Sequence, residues 1–202
     1  MQTIIPHLWF DTQAVEAAKY YVSLFAHSKI NTISKLYDTP SGEVDTVDFT
    51  LDGVQLNAIS AGPYFTLNPS VSLMVTCRSV EEVDRLYEGL KDGATVLMPL
   101  GEYPFSKRYV WLADRFGLNW QLCYFETDEI TQKIRPVFLF AGDACGKTEE
   151  ALTFYSSVFA DAKMGYVSHY QPGEAIVERA KVNYAELTLG GFQLVAMDHG
   201  AG

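Results

Sequence analysis

The chain repeats itself, and this repetition limits the folds open to it more than any other feature does. Pro6-His7-Leu8-Trp9-Phe10 returns as Pro136-Val137-Phe138-Leu139-Phe140, each an apolar run followed by a helical stretch. The first helical stretch ends Tyr21-Val22-Ser23-Leu24-Phe25 and the later one Tyr155-Ser156-Ser157-Val158-Phe159. After a polar stretch come Asp48-Phe49-Thr50-Leu51-Asp52-Gly53 in one copy and Glu186-Leu187-Thr188-Leu189-Gly190-Gly191 in the other. A third copy lies between them. Ser72 to Thr76 predicts its strand, Ser79-Val80-Glu81-Glu82 is a capping box opening its helix, and Gly93 stands where that helix stops. All three copies close on Gln-Leu, at Gln55, Gln121 and Gln193. Tyr21 to Gln55 and Tyr87 to Gln121 both span 34 residues, and Tyr155 to Gln193 spans 38.

Each copy reads as strand, helix, then about three strands. Val15, Ala18, Val22 and Phe25 follow a helical period. Thr46, Asp48 and Thr50 alternate with Val47, Phe49 and Leu51, which is a strand with two unlike faces. Pro40-Ser41-Gly42, Asp52-Gly53, Gly62-Pro63 and Asn68-Pro69 punctuate these elements as turns. The links are short, so the sheets are expected to be mostly antiparallel, with a helix on one face.

Composition removes several functions. The chain has 202 residues, 48% of them hydrophobic and 13% aromatic, ample for a buried core. Its net charge of −10 repels phosphate backbones and anionic membranes, so neither nucleic acid nor membrane is an expected partner. No apolar run approaches the ~20 residues of a membrane span. The opening Met1-Gln2-Thr3-Ile4 shows no basic secretory leader. Cys77, Cys123 and Cys145 are odd in number and widely spaced, which predicts free thiols in the cytoplasm.

Repeated βαβββ units of this size resemble the vicinal oxygen chelate superfamily of glyoxalase I, bleomycin-resistance proteins and ring-cleaving dioxygenases. Ile5-Pro6-His7-Leu8-Trp9-Phe10, Tyr20-Tyr21 and Asp114-Arg115-Phe116-Gly117-Leu118-Asn119-Trp120 are most similar to its PhnB-like branch, often labelled 3-demethylubiquinone methyltransferase. The chain shows no Gly-rich strand-to-helix turn for S-adenosylmethionine, so the label is not expected to describe its chemistry. The resemblance implies an α+β fold in which two modules face each other around a cavity. Residues 1–126 are expected to form one complete two-module domain, 127–133 a linker, and 134–202 a single unpaired module. An unpaired module leaves a sheet face uncovered, so a homodimer through residues 134–202 is expected, the alternative being that the chain is a fragment of a longer four-module protein.

The resemblance also implies where metal ligands would stand. One is a His or Gln on the first strand, and another is a Glu before Leu on the last. That Glu is Gln three times here, and a neutral amide brings no charge to a divalent ion. Leu8 and Phe10, repeated as Phe138 and Phe140, are expected to pack on the helix, which turns His7 and Trp9 toward the cavity. Ser72 and Val137 correspond to His7 in the other modules. The inherited quartet is His7, Gln55, Ser72 and Gln121, a weak transition-metal set, and the expectation is no tightly held metal or other cofactor. Tyr109 and Trp111 add aromatic surface, and Tyr103 and Phe105 lie just before them. The expected lining is His7, Trp9, Gln55, Asn57, Ser72, Tyr109, Trp111 and Gln121.

His7 is the one lining residue able to titrate near neutrality, and so the only catalytic candidate. His27 follows the first helix, while His169 and His199 belong to the unpaired module. Cys77 and Cys123 carry no signature of activation. Non-covalent binding of a small aromatic or apolar molecule is therefore the expected function. The alternative is a divalent-metal lyase or isomerase of the glyoxalase type, with the quartet as ligands. A further alternative is Ala141-Gly142-Asp143-Ala144-Cys145-Gly146-Lys147-Thr148, which nearly spells a nucleotide-binding loop, with Asp198 in the place of a magnesium ligand. Asp143 would oppose phosphate, and the loop repeats the turn at Asp11-Thr12-Gln13, so Thr148 is expected to serve as a helix cap.

Overall fold

The computed structural model describes residues 2–127 and 129–200; Met1, Asp128 of the expected linker, Ala201 and Gly202 lie outside it. The first repeat forms β1 (His7–Phe10), α1 (Ala14–Leu24), β2 (Lys29–Thr39), β3 (Gly42–Leu51) and β4 (Val54–Ser60). The second forms β5 (Val71–Cys77), α2 (Val80–Leu90), β6 (Thr95–Tyr103), β7 (Ser106–Ala113) and β8 (Asn119–Tyr124). The third forms β9 (Ile134–Phe140), α3 (Thr148–Val158), β10 (Lys163–His169), β11 (Val182–Leu189) and β12 (Phe192–Asp198). All three are βαβββ units, as the spacing predicts. No helix among the described residues is long and apolar enough to cross a membrane.

The chain divides into two compact units. The larger holds Ile5–Asn68 and Leu73–Ile134; the described residues of the smaller fall within Met1–Ile4, Pro69–Ser72 and Arg135–Gly202. Strand order in the larger unit runs β1-β4-β3-β2 and β5-β8-β7-β6, and in the smaller β10-β11-β12-β9. In each repeat the first strand pairs parallel with the last, and the hairpins are antiparallel.

Turn chemistry sets the registers. Asp52 and Gly53 both adopt positive φ, 46° and 86°, which closes a two-residue hairpin whose twist matches its strands. That turn pairs Thr50 with Gln55, and Gly190-Gly191 likewise pairs Thr188 with Gln193. The longer turn from Asp114 to Leu118 pairs Trp111 with Gln121. Each glutamine therefore stands in the last strand of its repeat, beside the strand that precedes it.

Helix α1 lies close on its sheet because it buries the small residues Ala14, Ala17 and Ala18, together with Tyr21. Of the expected stripe, Ala18 and Phe25 are buried, while Val15 and Val22 sit at its rim. Its first amide, of Ala14, donates 3.0 Å to the Ser60 hydroxyl at the end of β4. The capping box of α2 forms: Ser79 Oγ accepts from the Glu82 amide, and Glu82 reaches back to the Arg78 amide.

Within the larger unit the two repeats join through their helices and the Asp114–Trp120 turn. The Tyr20 hydroxyl donates to the Gly89 carbonyl, Arg85 Nη1 donates 2.8 Å to the Leu24 carbonyl, and Phe25 stacks on Trp120 at 5.5 Å. Phe116 packs edge-on against Phe10, Tyr20 and Tyr21. Lys133, at the end of the expected linker, bridges Asp52 at 3.1 Å and Glu82, all three less than a fifth exposed. Burial alone would raise the Glu82 carboxyl, but the Lys133 ammonium and the Arg78 amide outweigh it and hold it below its ordinary value.

Candidate functional site

The first strand behaves as alternation dictates. Leu8 and Phe10 are buried toward α1, while His7 is exposed and Trp9 half-buried on the opposite face. Parallel pairing sets His7 beside Asn57 and Trp9 beside Ile59; antiparallel pairing then sets Asp48 beside Asn57 and Thr46 beside Ile59. One row across three strands thus reads His7, Asn57, Asp48, with Gln55 and Thr50 paired in the neighbouring row.

A carboxylate organises this face. Asp48 accepts 2.7 Å from Gln55 Nε2 and 2.5 Å from Asn31 Nδ2, and Asn31 also reaches the Thr50 hydroxyl at 3.0 Å. Asp48 and Asn31 were not in the expected lining. The signal for Asp48 was present, since the Asp52-Gly53 turn fixes the register that brings it beside Asn57. The indole of Trp9 is fixed by a 2.8 Å bond to the Gly62 carbonyl and meets Phe65 edge-on at 5.0 Å. The Oδ1 of Asn57 is buried and accepts no hydrogen bond. Partial burial holds the His7 imidazole below its ordinary pKa.

The second group of expected residues lies on β5, β7 and β8. Tyr109, Trp111 and Gln121 share a face of the β7–β8 hairpin, opposite Trp120, which packs toward α1. The Tyr109 hydroxyl donates 2.7 Å to Gln121 Oε1, and burial pushes its pKa up. Tyr103 and Phe105 flank its ring at 5.5 and 5.0 Å. Gln121, Tyr109, Trp111 and Ser72 are all buried, in contrast to His7, Trp9, Gln55 and Asn57. The eight residues thus fall into an accessible set on the first sheet and a buried set on the second repeat.

The inherited quartet offers one imidazole, two amides and a hydroxyl, with no anionic donor among them. His7 is joined on its face by amides, and the Asp48 carboxylate is already engaged by two of them. Among the described residues no three His, Cys, Asp or Glu side chains converge in the manner a cation requires.

The near-match to a nucleotide loop is closed by the chain itself. Asp198 Oδ1 accepts from the Gly146 amide at 2.8 Å and the Thr148 hydroxyl at 2.7 Å, while Oδ2 accepts from the Lys181 and Val182 amides at 3.0 and 2.9 Å. Burial would raise this carboxyl, but these donors outweigh it and hold it below its ordinary value. The cap of α3 is Lys147, not Thr148 as expected; Thr148 is buried as the first helical residue because Asp198 draws it inward. Asp198 pairs with Phe140 as Ser60 pairs with Phe10, so the same position caps the helix in both repeats.

Phe138 and Phe140 are half-buried, unlike Leu8 and Phe10. They line an open cavity with Tyr155, on the side that Phe116 fills in the first repeat.

Residues 2–123 and 132–202 match the family described as 3-demethylubiquinone-9 3-methyltransferase. The chain belongs to that family. The PhnB protein of Bacillus cereus is 38% identical over 61% of this chain and 100% of its own, with a TM-score of 0.57. Protein PA1353 of Pseudomonas aeruginosa is 23% identical over 61% of this chain and 98% of its own, TM-score 0.54. A V278E mutant of maize glyoxalase I shares the fold at 10% identity, covering 96% of this chain and 67% of its own, TM-score 0.65. No curated protein matches. The chain is thus PhnB-like, and its likeness to the maize enzyme is one of fold.

Proposed function

We propose that this PhnB-like chain binds a small planar organic molecule without covalent chemistry and without a tightly held metal, on the face carrying His7, Trp9 and Asn57. The observation that carries the reading is the Asn57 side-chain oxygen, buried with no donor, paired across the strands with His7 on the face that also carries Trp9. A buried acceptor without a donor costs about 1–3 kcal/mol, which a ligand N–H or O–H placed there would recover. Trp9 and Phe65 supply an apolar wall, and amides held by the Asp48 carboxylate supply polar groups on the same face, which suits a planar aromatic ligand with a polar edge.

The test is native mass spectrometry of the purified protein for retained molecules. It is joined to a thermal-shift panel of planar aromatics bearing N–H or O–H groups. A stabilising ligand whose effect is lost in Asn57→Leu and Trp9→Leu supports the reading. Turnover of a glutathione–methylglyoxal adduct with stoichiometric divalent metal would replace it by the lyase or isomerase alternative.

A further inference from the structure

Asp48 carries a negative charge that the face around it does not neutralise. Its two donors, Gln55 Nε2 at 2.7 Å and Asn31 Nδ2 at 2.5 Å, are neutral amides, and among the described residues it forms no ion pair. The β2–β3 hairpin holds Asp38, Glu43, Asp45 and Asp48 against Lys29 and Lys35 alone. Lys35 is engaged elsewhere, 3.8 Å from Glu43 and 3.6 Å from Asp45. Lys29 pairs in register with Thr50, one row away along β3, and is exposed.

Asn57 stands directly across from Asp48 in the β3–β4 ladder. Side chains so paired lie about 4.5–5.5 Å apart at Cβ. One group can therefore donate both to Asn57 Oδ1, which has no donor, and to an Asp48 oxygen. Such a group carries at least two hydrogens, and it is held more strongly if it is positive.

We infer that the ligand is an aromatic cation, its protonated amine or amidinium bridging Asn57 and Asp48 while its ring lies toward Trp9. This rests on the ligand face proposed above and adds the charge of its occupant. Trp9 stands two residues beyond His7 on that face, its indole held by the Gly62 carbonyl at 2.8 Å, and its ring attracts flat groups and cations alike. A carboxylate or phosphate bound at Asn57 would sit about one strand spacing from Asp48 and be repelled. A neutral ligand would satisfy Asn57 and leave the Asp48 charge as it stands. The net charge of −10 also draws cations to the chain.

Calorimetric titration at neutral pH with naphthylmethylamine, naphthylmethanol and naphthoate tests the charge. The amine, protonated there, is expected to bind about 10-fold or more tightly than the alcohol, the difference a bond to a charged group makes, and naphthoate the most weakly. Asp48→Asn is expected to abolish the preference for the amine, with circular dichroism unchanged. Glu43→Gln, which removes a carboxylate from the same hairpin, is expected to keep it. In the unaltered protein the preference is expected to shrink between about 0.01 and about 1 M salt, a readout that guards against a misfolded Asn variant. Equal binding of amine and alcohol overturns the inference and leaves the ligand face standing. So does a preference that survives Asp48→Asn, or one that Glu43→Gln abolishes as well. No binding of the amine also overturns it, and if no compound of the broader aromatic panel binds either, the ligand face itself falls.

Discussion

The Tyr21 phenol donates a 2.7 Å hydrogen bond to the buried carboxylate of Asp114, 93 residues further along the chain. The same carboxylate accepts from the Trp120 indole at 2.9 Å and from the Phe116 and Leu118 amides at 2.8 and 3.1 Å. One acid thus shapes the turn entering β8 and ties it to α1. Burial still pushes the Asp114 carboxyl above its ordinary value, despite these donors.

Tyr21→Phe is expected to cost about 1.5–3 kcal/mol, the range for a buried bond to a charged acceptor. Urea unfolding at neutral pH measures it. Because folding raises the Asp114 pKa, its contribution is greatest below the ordinary carboxyl value and declines as pH rises through the folded value. Asp114→Asn is expected to remove that part of the pH dependence.

Lys133→Met is expected to destabilise the fold by about 3–5 kcal/mol, because it strands the Asp52 and Glu82 carboxylates. Adding Asp52→Asn and Glu82→Gln should restore part of the loss, and chemical denaturation of the single and combined variants measures the coupling. The lowered Glu82 pKa gives stability that is present above the ordinary carboxyl value and lost as pH falls through the folded value.

Asp198→Asn is expected to cost about 2–4 kcal/mol, since an amide group cannot accept from the four amides and one hydroxyl that converge there. The folded pKa is depressed, so wild-type stability falls as pH drops below the ordinary carboxyl range; the variant should lack this component in acid denaturation. ATP with magnesium is expected to leave the melting temperature of either protein unchanged.

The His7 imidazole should titrate below about 6.5 in the free protein when followed by its ring-proton NMR shifts. It is then neutral at pH 7, and ligand affinity at the Asn57 face should fall as pH drops through the His7 value. Removal of divalent ions by a chelator is expected to leave that affinity unchanged.

Three repeats, their strand and helix order, and the facing of Leu8 against His7 were legible in the sequence. They depend on local periodicity and turn chemistry, which a chain carries in its own order of residues: Asp52-Gly53 alone fixes the pairing of Thr50 with Gln55. Tertiary structure decided what those elements touch. Only packing could turn α1 onto Ala14, Ala17 and Ala18 rather than Val15 and Val22. Only a carboxylate arriving from β12 could bury Thr148 and fill the loop that resembles a phosphate cradle. Side chains of one composition become buried or open according to what lies across from them, and that is why Gln121 is enclosed while Gln55, its repeat counterpart, remains partly exposed.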